Sequence, residues 1–161
     1  MAHRPPIVIL DDPSMGLDPI ARKEFNRDLV EHLQSSGSTV LYSSHLLDEV
    51  ESVADAVAIL DHGSIVRSGS TESVRNEVKR ILVPVASVAG SPRPGGLLDV
   101  RRHDDRLALV SDDAEAYIER LSVEAIPHDV VDLSLDEIFE AFVIGRTADW
   151  PSAEADASVL V

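Results

Sequence analysis

The chain has 161 residues, of which 44% are hydrophobic and 27% charged, the balance of a folded polypeptide of one domain or two small ones. A formal net charge of −15 opposes binding to nucleic acid or anionic lipid by charge attraction. Zero cysteines exclude disulfides and thiolate metal sites, and the nearly apolar stretch Ile81 to Ala89, broken by Pro84, is too short to enter and cross a bilayer. The first residues carry no charged-then-apolar leader pattern, so a cytoplasmic chain is expected.

The run Ile7-Val8-Ile9-Leu10 ends in Asp11-Asp12 and reads as a buried parallel strand that delivers two carboxylates to its carboxyl end, where open α/β sheets bind ligands. Asp11 can reach a hard cation such as Mg²⁺, directly or through water. Asp12 could orient or deprotonate an attacking water. Pro13 stops the strand, and Asp18-Pro19 opens a helix with aspartate as N-cap and proline at the first helical position. That helix, about 19–35, is amphipathic through Phe25, Leu29, Val30 and Leu33, and Gly37 can close it. A second strand, 39–43, leads into Ser43-Ser44-His45. With the two strands parallel, His45 shares an edge with Asp12, where its imidazole could hydrogen-bond a phosphate oxygen. A helix over 46–53, hairpin strands 56–60 and 64–68 joined by Asp61-His62-Gly63, and a helix over 71–80 follow.

A second unit begins near residue 80. Strands are expected over 80–88, 97–101 and 106–110, the first two separated by the breaker cluster Gly90 to Gly96. A helix over 112–121 carries Ile118 and Leu121 on one face, and a strand broken near Pro127 falls within 123–133. Ser134-Leu135-Asp136-Glu137 forms a capping box that opens a last helix with Ile138, Phe139, Phe142 and Val143 inward. Residues 146–161 read as a mobile tail.

Taken in order, these segments resemble the second half of the ATPase domain of ABC transporters. I-V-I-L-D-D-P is similar to the Walker B strand, S-M-G-L-D to the D-loop, and S-S-H-L-L-D-E-V-E to the switch-histidine segment. Residues 56–69 resemble the hairpin that follows, and the likeness runs from about 2 to 80 without a gap. L-S-L-D-E-I-F-E-A-F resembles the close of the C-terminal accessory domain in ATPases of ABC-2-type exporters. The implied fold is α/β: a partial P-loop NTPase sheet lacking the Walker A strand over 1–80, then a small α+β accessory domain over 81–145.

By this resemblance Asp11 would coordinate Mg²⁺, usually through water, Asp12 would hold the general-base position, Asp18 would face a partner subunit, and His45 would contact the ATP γ-phosphate. The family normally has glutamate where this chain has Asp12. One methylene less retracts the carboxylate by roughly 1.5 Å, and a misplacement of about 1 Å can cost on the order of 100-fold in rate. Ala2 to Pro6 resembles the residues that precede Walker B in intact members, which places the phosphate loop, Q-loop and L-S-G-G-Q signature upstream. No G-x-x-x-x-G-K-[ST] or L-S-G-G-Q occurs among the 161 residues. The expectation is an export-type ATP-binding subunit that is inactive alone. Its partners would be a second ATPase subunit or a polypeptide carrying the N-terminal half, together with a membrane permease at the inner face of the cell membrane. The alternative is a non-enzymatic regulatory module that docks on an intact ATPase or membrane subunit. The resemblance also places the Walker A strand between strands 39–43 and 56–60, so its absence leaves a gap or forces those two to pair, with apolar surface exposed and a tendency to aggregate.

Overall fold

The computed structural model describes residues 5–151. The chain divides into two compact units, Met1–Ala54 and Asp55–Val161. The first contains β1 (Ile7–Asp11), α1 (Pro19–Ser36), β2 (Thr39–Ser43) and α2 (Leu47–Val53). β1 and β2 pair in parallel with Ile7 opposite Thr39, Ile9 opposite Leu41 and Asp11 opposite Ser43, and they form a two-stranded sheet of their own. α1 begins at the Asp18 cap and ends at Gly37, and an Arg22–Glu49 ion pair at 3.6 Å links it to α2.

Side chains alternate across this small sheet. Val8, Leu10, Val40 and Tyr42 are half-buried on one face, whereas Ile7, Ile9 and Leu41 stand 62%, 71% and 63% exposed on the other. The apolar run of β1 is therefore covered on one side only, which corrects the expectation of a buried strand. Phe25, Leu29, Val30 and Leu33 of α1 are likewise half-buried. Among the described residues of this unit no apolar side chain is buried; the buried ones are Ser14 and Asn26.

The second unit opens with an antiparallel hairpin, β3 (Ala56–Asp61) and β4 (Ser64–Ser70), turned by His62 at φ 46° and Gly63 at φ 80°. Two successive positive φ values match the right-handed twist of a tight hairpin. Ser70 caps α3 (Thr71–Glu77) by accepting from the Ser73 amide. β5 (Lys79–Pro84), α4 (Val85–Val88), β6 (Leu97–His103), β7 (Arg106–Ser111), α5 (Ala114–Val123), β8 (Asp129–Asp132) and α6 (Leu135–Ile144) complete the unit. The four-stranded sheet runs β6-β7-β5-β8, and its three pairings are all antiparallel. Its core gathers Ile81, Val83, Val88, Val100, Leu107, Leu109, Ala114, Tyr117 and Leu121, and Val74 and Val78 are also fully buried.

The structure departs from the sequence reading at several points. The compact units divide at 54/55, and only Val78 separates α3 from β5. The expected strand 80–88 stops at Pro84, whose missing N–H ends the ladder, and one helical turn follows. In α6 the buried side chains are Leu135, Ile138 and Ala141, with Phe139, Phe142 and Val143 half-covered. The start of the expected mobile tail is anchored: the Arg146 amide donates to Asp99 Oδ1 at 2.8 Å, Trp150 Nε1 donates to the Ser91 carbonyl at 3.1 Å, and the indole packs on the core. Residues 152–161 of that tail lie outside the described residues.

Candidate functional site

The carboxyl ends of β1 and β2 bring three of the four anticipated residues together. Because the register sets Asp11 opposite Ser43, the Ser43 hydroxyl donates to Asp11 Oδ1 at 2.5 Å. The backbone amide of Asp12 donates to both the Ser43 carbonyl and the Ser43 Oγ, each at 3.0 Å. Asp12 leaves the strand at φ 44°, a left-handed conformation that aspartate tolerates better than most residues. Its Oδ2 lies 2.9 Å from His45 Nδ1, while its Oδ1 is buried without a hydrogen-bond partner. The Asp12 side chain is mostly covered and that of His45 is mostly exposed.

Asp18 is not part of this cluster. Its Oδ1 accepts from the amides of Ile20 and Ala21 at 2.9 and 3.0 Å, capping α1. The Ala21 amide first, and that of Ile20 next, hold the carboxyl below the ordinary aspartate range. Both amides are consumed within the chain, so the geometry here is that of a helix cap.

Among the described residues no three His, Asp or Glu side chains gather closely enough to hold a metal ion by themselves. Mg²⁺ keeps several waters and takes one or two carboxylates plus phosphate oxygens. An exposed strand-end carboxylate at Asp11 and an orphaned acceptor at Asp12 Oδ1 are donors of that kind. Ser43 was missed by the sequence reading. Aligning the ends of the two apolar runs, Leu10 with Tyr42, would have set it beside Asp11.

No protein-family model matches the chain. Comparison with curated proteins makes it a relative of the ATP-binding proteins of ABC transporters. Across 95% of its length it is 32% identical to the daunorubicin/doxorubicin resistance ATP-binding protein DrrA of Streptomyces peucetius, spanning 51% of that protein. It is 43% identical over 74 residues to the energy-coupling factor transporter ATP-binding protein EcfA2 of Streptococcus sanguinis, which covers 46% of this chain and 26% of that one. It is also 36% identical over 83 residues to the uncharacterized ABC transporter ATP-binding protein YdbJ of Bacillus subtilis, covering 52% of this chain and 27% of that protein. The chain thus spans between about a quarter and a half of the length of these relatives. No helix among the described residues is long and apolar enough to cross a membrane.

Proposed function

We propose that these residues form the water-activating half of an export-type ABC transporter ATPase, and that the phosphate-gripping half is supplied by sequence outside them. Asp11 would hold Mg²⁺, which neutralises phosphate charge when bound. Asp12 would take a proton from, or orient, the attacking water. His45, paired with Asp12 across 2.9 Å, would hold that carboxylate's direction and present its ring toward a phosphate oxygen. Asp18 would fix the start of α1 and so the turn that faces a second subunit. Residues 81–145 would serve as the accessory domain.

The observation that carries this reading is the uncovered sheet. Ile7 and Ile9 share a face with Asp11, and Leu41 shares it with Ser43, yet among the described residues of the unit none covers that face and no apolar side chain there is buried. An apolar face beside a polar strand end is what a catalytic half looks like without its complement. The chain alone would neither retain nor hydrolyse ATP, since a net charge of −15 repels the triphosphate and no phosphate-loop lysine offsets it. A permease at the inner membrane face would be the remaining partner.

The test is equilibrium titration with Mg·ATP, first of the chain alone and then with a polypeptide that carries G-x-x-x-x-G-K-[ST] and L-S-G-G-Q from a relative such as DrrA. Binding only in the mixture supports the proposal. Turnover by the purified chain unaided refutes it. The self-contained core of the second unit favours one other reading, a docking module in which the acids are idle. Under that reading, alanine at Asp11, Asp12 and His45 leaves transport by the assembled system unchanged.

A further inference from the structure

We propose that Ser43 is a positioning residue, one hydroxyl that sets both strand-end carboxylates. The inference rests on the reading of Asp11 as the cation-holding group. The proton of Ser43 Oγ can be placed by elimination. The Asp12 amide can only donate, so at 3.0 Å it must use an oxygen lone pair of the hydroxyl, and the hydroxyl proton is left for Asp11 Oδ1 at 2.5 Å. A serine at this register position therefore spends its donor on one aspartate and an acceptor site on the backbone of the next.

Each bond has a distinct consequence. The bond to Oδ1 removes rotational freedom from an exposed carboxylate, and among the described residues no hydrogen bond falls on Oδ2. A cation that meets this group thus meets one oriented oxygen instead of a rotating pair. Hydrogen bonds that orient a ligating carboxylate are worth about 10–100-fold in metal affinity. The bond to the Asp12 amide supplements the one from the Ser43 carbonyl, and together they pin the residue at φ 44°, the conformation that aims its side chain at His45. Because the carbonyl bond is independent of the side chain, removing the hydroxyl loosens the carboxylates without unpairing β1 from β2.

The experiment compares the 161-residue chain with Ser43→Ala, Ser43→Thr and Asp11→Asn by nuclear magnetic resonance, using Mn²⁺ alone as probe. Three-bond couplings between Hα and Hβ of Asp11 should report one side-chain rotamer in the native chain and in Ser43→Thr, and averaging in Ser43→Ala. The Mn²⁺ concentration that half-broadens the Asp11 amide should rise about tenfold in Ser43→Ala and return in Ser43→Thr. Amide exchange along β1 and β2 should not change. Couplings in Ser43→Ala that match the native chain overturn the proposal, and so does averaging with an unmoved Mn²⁺ midpoint, which would make Ser43 merely structural. If Asp11→Asn leaves the broadening intact, it is the cation reading of Asp11 that fails, and the couplings still decide the role of Ser43.

Discussion

Replacing Ile7, Ile9 and Leu41 together by threonine tests whether the face of the first unit belongs to something outside it. Threonine keeps the β-branching of Ile7 and Ile9 and introduces it at position 41, which suits a strand, but removes most of the apolar surface. In the structure these side chains are 62%, 71% and 63% exposed, so roughly two full side-chain equivalents of apolar surface remain for a partner to cover. Burying an Ile or Leu completely is worth about 1.5–3 kcal/mol, so covering the three contributes about 3–6 kcal/mol at most. At about 1.4 kcal/mol per tenfold, the substitution should weaken association with a phosphate-loop polypeptide on the order of 100-fold, read by calorimetry. The isolated chain should respond oppositely. Exposed positions usually change stability by no more than about 0.5 kcal/mol each, so amide exchange in β1 and β2 should hold while dye binding and self-association fall. Loss of protection in β1 and β2 of the isolated variant would refute the reasoning, because it would mean that these side chains already hold a core.

Three further outcomes are expected. In a complex completed with a phosphate-loop polypeptide, Asp12→Glu should raise ATP hydrolysis by about tenfold or more by restoring the missing reach of roughly 1.5 Å; a phosphate-release assay showing a slower variant would count against Asp12 as the base. Glu137 is held below the ordinary glutamate range, chiefly by the Ser134 amide and then by Arg80. A depressed folded value means that its contribution is present above the unfolded pKa and fades as pH falls through the folded one. The stability gap between the native chain and Glu137→Ala should therefore be widest near pH 7 and narrow steadily as acid carries the pH down through the depressed carboxyl range, as read by urea titrations. Gly145→Ala would drive a methyl group into the carbonyls of Ala141 and Leu98 and displace the Arg146 contact to Asp99. The clash and the lost hydrogen bond to Asp99 Oδ1, whose Oδ2 keeps its Arg101 partner, together should cost about 2–4 kcal/mol, or roughly 10–20 °C in the melting temperature of a unit this size.

The elements were legible in the sequence where periodicity was long or a cap was explicit. Asp18-Pro19 and the Ser134–Glu137 box fixed their helix starts, because a side chain accepting an amide is a local event that needs no tertiary partner. What composition alone could not show was which face is covered. The run Ile7 to Leu10 reads as buried because its composition suits a sheet covered on both faces, and composition does not say whether the second cover is present. The stretch Arg80 to Val88 reads as one strand because an apolar run has no period of its own, so the switch to a helical turn after Pro84 was invisible. In the site, Asp11, Asp12 and His45 were found as chemical types at strand ends. Ser43 escaped because its importance comes from register, which only pairing reveals. The anchoring of residues 146–150 escaped because it depends on Asp99 and Ser91, which are distant in the chain.

The sole tryptophan, Trp150, lies against the core of the second unit with its indole N–H on the Ser91 carbonyl. Intrinsic indole emission therefore reports on the packing of that unit. An unfolding curve recorded by fluorescence alone follows the surroundings of Trp150, so the part that carries Asp11, Asp12 and His45 needs a probe of its own in β1 or β2.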